Sequence, residues 1–168
     1  MAKGSPRVKV TDKDKGYAQF VAQFRKMAEG RHVVVGIRGE KGVEKEEGAD
    51  LTLVEIAAVN EFGTEDGHIP SRPAFRGTFD ANRPKYETRL VAGVNRVLAG
   101  KSDMDTELER LGLVVVGDIQ KAISAGIAPA NAPRTIAAKG SEKPLIDTGR
   151  TRQAIDSEVR VKARSRAR

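Results

Sequence analysis

Apolar side chains recur at helical spacing in several stretches of the chain and alternate with polar ones in one. Tyr17, Phe20, Val21, Phe24, Met27 and Ala28 predict an amphipathic helix that ends near Gly30. His32-Val33-Val34-Val35-Gly36-Ile37 follows, a β-branched run bounded by glycines, and predicts a strand. The charged, glycine-rich stretch from Gly39 to Asp50 reads as a loop. A second helix is signalled by Thr52 with Glu55 three residues on, the spacing of a capping box, with Leu53, Ile56, Ala57 and Val59 on its apolar side. Gly63 suits a left-handed stop to it.

Ile69-Pro70-Ser71-Arg72-Pro73 must be extended, because each proline turns its predecessor away from helix. A third helix carries Tyr86, Leu90, Val94 and Leu98 on one stripe, with Pro84 suited to its first turn or, if the helix starts earlier, kinking it. A fourth follows Ser102 and Asp103, with Leu108, Leu111, Val115, Ile119 and Ile123 in register; its Leu113–Val116 run also suits a strand. The Ala-, Pro- and Gly-rich stretch from Gly126 to Pro144 reads as a long loop. Ile155, Ser157, Val159 and Val161 alternate with Asp156, Glu158, Arg160 and Lys162, which marks a strand with one face buried, a candidate partner for the strand at Val33–Ile37.

The expected fold class is therefore α+β: a small antiparallel or mixed sheet packed with about four helices, long loops and extended termini. The division expected is a basic N-terminal arm at 1–15, one domain at 16–162 and a basic C-terminal tail at 163–168. With 168 residues there is room for one domain and its extensions. Only 4% of residues are aromatic, so Val, Leu, Ile and Ala must supply the core. The absence of cysteine excludes disulfides and thiolate metal sites. The first ten residues contain no signal-like apolar run and no stretch reaches the roughly 20 apolar residues of a membrane span, so a soluble chain made in the cytoplasm is expected.

The formal charge of +7 draws the chain toward polyanions or simply keeps it soluble. Much of it sits at the ends: Lys3, Arg7, Lys9, Lys13 and Lys15 at the start, Arg160, Lys162, Arg164, Arg166 and Arg168 at the finish. A search for reactive chemistry finds little. Gly100-Lys101-Ser102 ends like a phosphate-binding loop, but Asn95 stands where the pattern requires glycine. Gly36-Ile37-Arg38-Gly39 lacks dinucleotide-fingerprint spacing. His32 and His68 fit no metalloprotease pattern, and His68 beside Glu65 and Asp66 supplies too few ligands for a firm cation site. No nucleophile elbow or acid–base pair stands out. No catalytic residue, metal site or cofactor is expected.

Two blocks carry a specific signal. The first is Ala57-Ala58-Val59-Asn60-Glu61-Phe62-Gly63-Thr64 followed by Ile69-Pro70-Ser71-Arg72-Pro73-Ala74-Phe75-Arg76. The second is Ala132–Gly140, then Pro144-Leu145-Ile146-Asp147-Thr148-Gly149-Arg150 and Gln153-Ala154-Ile155. In this order they resemble the tail-completion and virion-morphogenesis proteins of long-tailed bacteriophages, over roughly Val33 to Val161. Ala74 stands where that family often has a large apolar residue, Thr151 where it has leucine and Ala154 where it commonly has serine.

The resemblance implies a structural protein of the phage neck, located between the head–tail connector and the tail tube. A ring of about six copies around the DNA channel is the natural way to repeat one contact about an axis. Its partners would be further copies, the connector or stopper, the tail terminator, the tail tube and the passing genome. Read physically, Phe62 anchors a helix exit and Gly63 turns the chain. The Ile69–Pro73 connector then delivers Phe75 to an apolar pocket, while Arg72 and Arg76 seek carboxylates on this or a neighbouring subunit. Asp147-Thr148-Gly149 caps a short helix from Arg150 to Ala154. These residues either hold the fold together or lie at subunit contacts. Arg31, Arg38, Lys41 and the two termini, including Arg164, Arg166 and Arg168, are the candidates for contact with DNA. The competing readings are an assembly factor absent from the mature particle, a basic non-specific DNA-binding protein and a small hydrolase. The DNA-binding alternative lacks an evident recognition helix or stacking aromatics, and the hydrolase lacks a converging titratable cluster.

Overall fold

Helix α5 (Met104–Ala125) is the element around which the others gather in the computed structural model, which describes residues 16–45, 50–139 and 149–162. Met104, Leu108, Gly112, Val115, Ile119 and Ile123 recur every three or four residues and are all buried. Asp103 starts the helix, its carboxylate accepting from the amides of Asp105 and Thr106. The Leu113–Val116 run is helical, with Leu113 on the exposed side.

Strands β1 (Arg31–Ile37) and β2 (Ile155–Val161) pair antiparallel, Arg31 opposite Val161 and Ile37 opposite Ile155. This is the pairing the alternation suggested. The fold is α+β, with seven helices and this two-stranded sheet among the described residues. The sheet lies directly on α5 at Gly112, where a Cβ atom would stand 2.7 Å from the Ser157 Cβ and 2.9 Å from a Val33 methyl.

Helix α4 (Ala74–Leu98) packs along another side of α5. It begins ten residues before Pro84, which therefore lies inside the helix and not in its first turn. Its buried positions are Ala74, Thr78, Tyr86, Gly93 and Val97, not the expected Tyr86–Leu90–Val94–Leu98 stripe. Gly93 explains the shift: a Cβ there would meet Glu107 at 3.1 Å, so the two helices approach closely on a residue that has no apolar side chain to betray it.

Helix α3 (Leu53–Phe62) carries the predicted capping box between Thr52 and Glu55, and buries Leu53, Ala57 and Glu61. Two short helices occupy stretches expected to be loops. Helix α2 (Gly39–Val43) lies against the end of β1 with Gly42 buried, and α6 (Pro133–Lys139) follows the α5 exit. Neither carries the long apolar stripe that periodicity detects. Helix α7 (Arg150–Gln153) leads into β2, with Thr151 and Ala154 buried at two of the positions that depart from the family pattern. The third, Ala74, is only 1% exposed.

Helix α1 (Tyr17–Ala28) is present where expected but buries no residue. Met27 packs against the Val97–Met104–Leu108 cluster, while Tyr17, Phe20 and Phe24 face solvent. No helix among the described residues is long and apolar enough to cross a membrane.

Candidate functional site

The first sequence block folds into the joint between α3 and α4. Glu61, at the end of α3, is buried, and its carboxylate accepts from the amides of Phe75 and Arg76, both at 2.9 Å. It thus caps the first turn of α4 from another helix, satisfying two amides that have no partner inside the helix and placing negative charge at its positive end. Pro73, the residue preceding α4, supplies no side-chain cap of its own.

Between the helices the chain doubles back on itself. Thr64 N donates to Ile69 O and Ile69 N donates to the Thr64 hydroxyl, both at 2.9 Å. Gly63 ends α3 with φ 77° and ψ −179°, a positive-φ extended conformation and not the left-handed helical one expected. A side chain there would strike Ile69 O and Ser71 N at 2.8 Å, so Gly63 is required by both its dihedral and its surroundings. Ser71 donates to Glu61 O, and Arg72 N donates to Asn60 O.

Arg72 is buried, and its guanidinium donates to the carbonyls of Pro129 (2.7 Å) and Ala130 (3.2 Å) and to the Asn60 side chain (3.3 Å). Burial lowers its pKa from the usual guanidinium value. It ties the α3–α4 joint to the α5–α6 connection through carbonyls, not carboxylates. Arg76 is exposed, and its role in the joint comes through its backbone. Phe75 is half-buried against the core beside Ala74, whereas Phe62 is 72% exposed and does not anchor the helix exit. Pro70 is exposed and Ile69 half-buried.

Of the second block, Leu145, Asp147 and Thr148 lie outside the described residues. Gly149 takes a left-handed conformation just before α7, and Arg150 donates to Lys45 O at 3.0 Å and to the Glu44 carboxylate at 2.8 Å. Lys41 lines a shallow hollow with Glu44 and Arg150. Arg31 is held by Asp105 at 2.6 Å and Glu29 at 3.3 Å, and Arg38 by Glu158 and Asp156. Arg164, Arg166 and Arg168 lie outside the described residues.

Beside the joint lies an open apolar trough that the periodicity did not reveal. Its larger part, about 620 Å³, runs between β1 and α4 over a floor of Leu108, Leu111 and Val115, with Phe79 and Leu90 on the α4 wall. A smaller part of about 380 Å³ continues toward Val54 and Phe62, and Val35 lines both. The near wall is the edge of β1 that no strand among the described residues pairs with. Lys162 N donates to Gly30 O, which fixes the hydrogen-bonded pairs at even positions of β1. The backbone groups of Arg31, Val33, Val35 and Ile37 therefore point away from β2.

Five of the seven aromatic residues (five Phe, two Tyr) are exposed: Tyr17, Phe20, Phe24, Phe62 and Phe79. In a chain so poor in aromatics, most of its aromatic side chains thus stay outside the core.

Three of the perturbed ionisable groups sit in side-chain pairs. Hydrogen bonds from Arg96 hold the buried Glu107 carboxyl down at about 2, with Arg110 assisting. Burial and a hydrogen bond to Asp118 push the Tyr86 phenol up to about 12. Burial raises the Asp118 pKa, but donors from Lys85 (2.5 Å) and Tyr86 (3.0 Å) outweigh it and the net shift is downward. Each is saturated by its partners, and no three His, Asp or Glu side chains among the described residues converge as a metal site. Comparison with protein-family models, with curated proteins and with solved structures returns no match.

Proposed function

We propose that this chain is a structural protein of the bacteriophage neck, which completes the head-proximal end of the tail and joins it to the head–tail connector. The observation that carries the reading is the fate of the Asn60–Arg76 block. It is the part of the resemblance that lies wholly within the described residues, and its buried charged groups are used in building the joint between α3 and α4. Glu61 is consumed as a helix cap and Arg72 as a tie between loops. Such a block serves a scaffold, not a reactive pocket.

The exposed aromatics support the same reading, because a self-assembling subunit keeps apolar surface for its neighbours. About six copies then form a ring around the tail axis, meeting the connector or stopper on one side and the tail terminator or tail tube on the other. The chain assembles in the host cytoplasm and resides in the virion. Its basic termini meet the passing genome through sequence-independent phosphate contacts.

Quantitative mass spectrometry of purified virions tests this. The chain is expected at a few copies per particle, in constant ratio to the connector. Its absence from particles whose assembly depends on it would show an assembly factor instead.

A further inference from the structure

Helices α4 and α5 run antiparallel, tied toward one end by Lys85 to Asp118 and toward the other by Arg96 to Glu107, both at 2.5 Å. Arg110 pairs with the same Glu107 at 2.9 Å. Arg89 on α4 and Lys121 on α5 are exposed and pair with no carboxylate among the described residues. Five cations thus line one face of the helix pair over two carboxylates. We infer that this face binds the phosphate backbone of duplex DNA without regard to sequence. The inference rests on the reading of the chain as a neck component beside the genome, and adds to the basic termini a contact made by the folded body.

Helical spacing builds the face. Lys85, Arg89, Ala92 and Arg96 recur every three or four residues on α4, and Arg110, Val114, Gly117 and Lys121 do so on α5. The two ion pairs set the register, which brings the rows alongside each other at the roughly 8–10 Å between packed helices. The other acidic residues of these helices turn elsewhere. Glu87 lines the trough on the far side of α4, with Asp80 two turns before it. Asp105 faces Lys26 and Arg31, and Glu109 stands about 100° around α5 from Arg110.

The cations are held from below. The Glu107 and Asp118 side chains are 3 and 12% exposed, whereas those of Lys85, Arg96 and Arg110 are 40, 44 and 61% exposed. Arg96 uses Nε and Nη2 on Glu107, and Arg110 uses Nη1, so each guanidinium keeps further N–H donors for a phosphate.

The dimensions suit a rod-like polyanion. Each row covers about 16 Å at about 1.5 Å per residue. Duplex DNA carries one charge per about 1.7 Å of axis, so roughly nine phosphates lie beside a row. Between the rows stand Ala92, Val114 and Gly117, which offer no side-chain hydrogen bond to a base edge. Recognition therefore stops at the backbone.

The test is fluorescence anisotropy of the full-length chain with labelled duplexes of unrelated sequence, between about 50 and 200 mM salt. Arg89→Gln/Lys121→Gln removes the two cations that hold no carboxylate, and should lower the slope of log affinity against log salt by about 2. Arg83→Gln, on the trough side of α4, should leave the slope unchanged. Should the double variant fail to fold by circular dichroism, Ala92→Glu at an exposed position between the rows replaces it, and should weaken binding severalfold. A slope untouched by the double variant would overturn the inference, as would an equal loss in Arg83→Gln. Displacement of the duplex by poly-glutamate at equal charge concentration would overturn it too, marking the face as a site for an acidic protein. These results concern the purified chain alone, so they stand apart from its presence in virions, which tests the neck assignment.

Discussion

Gly112 of α5 lies directly beneath Ser157 of β2, so close that a Cβ on the glycine would come within 2.6 Å of the serine hydroxyl. The sheet rests on the central helix at this point, and the missing side chain sets the distance. Gly112→Ala adds a methyl group with nowhere to go. It is expected to cost about 1–3 kcal/mol of stability, although alanine is the better helix former by about 1 kcal/mol. Gly117, five residues along the same helix, has open space where a Cβ would stand. Gly117→Ala should therefore stabilise by up to about 1 kcal/mol. Denaturant unfolding of the two variants checks this, and equal effects of the same sign would show that the sheet does not press on α5.

Glu61 caps a helix that begins thirteen residues after it. Glu61→Ala leaves two amides at the buried end of α4 without acceptors and should cost about 1–3 kcal/mol. Glu61→Gln keeps the shape and one acceptor oxygen and should cost less. Hydrogen exchange should speed up first at the Phe75 and Arg76 amides. Unchanged exchange there in Glu61→Ala would rule out the cap.

Such long-range partners mark the limit of what the sequence alone reveals. The β2 alternation, the α5 stripe and the Thr52–Glu55 box act over a few residues, and they are legible as written. The start of α4 was not, because its cap comes from α3. Gly93 and Gly112 carry no apolar signal although helix and sheet close on them. The Asn60–Phe75 block was recognisable as a helix exit and stiff connector, yet the direction of Phe62 depends on its neighbours. Facing solvent, it helps line the trough.

Stability should fall in acid through Glu107. Its folded pKa, about 2, lies below the ordinary value of 4.5, so its contribution is present above pH 4.5 and is lost as pH falls toward 2. The contribution is of the order of 2 kcal/mol. Glu107→Gln should therefore be less stable than the wild type at pH 6, with the gap narrowing between pH 4.5 and 2. Thermal unfolding across that range measures it, and a gap independent of pH would contradict the ion-pair account.

Arg31 is engaged by Asp105 and Glu29, so Arg31→Gln should lower the melting temperature and leave DNA affinity almost unchanged. Replacing Arg164, Arg166 and Arg168 together by Gln should reduce the slope of log affinity against log salt by about 3, at roughly 0.9 per phosphate contact. Fluorescence anisotropy with duplexes of unrelated sequence, between about 50 and 200 mM salt, reads both. A strong sequence preference, or a slope untouched by the triple substitution, would contradict a phosphate-only contact by the tail.

The neck assignment itself is tested most directly by a cryo-EM reconstruction of the intact phage particle. The account predicts the α+β body of this chain at the head-proximal end of the tail, repeated around the DNA channel between connector and tube. A neck fully accounted for by other proteins, with this chain elsewhere or absent, would contradict it.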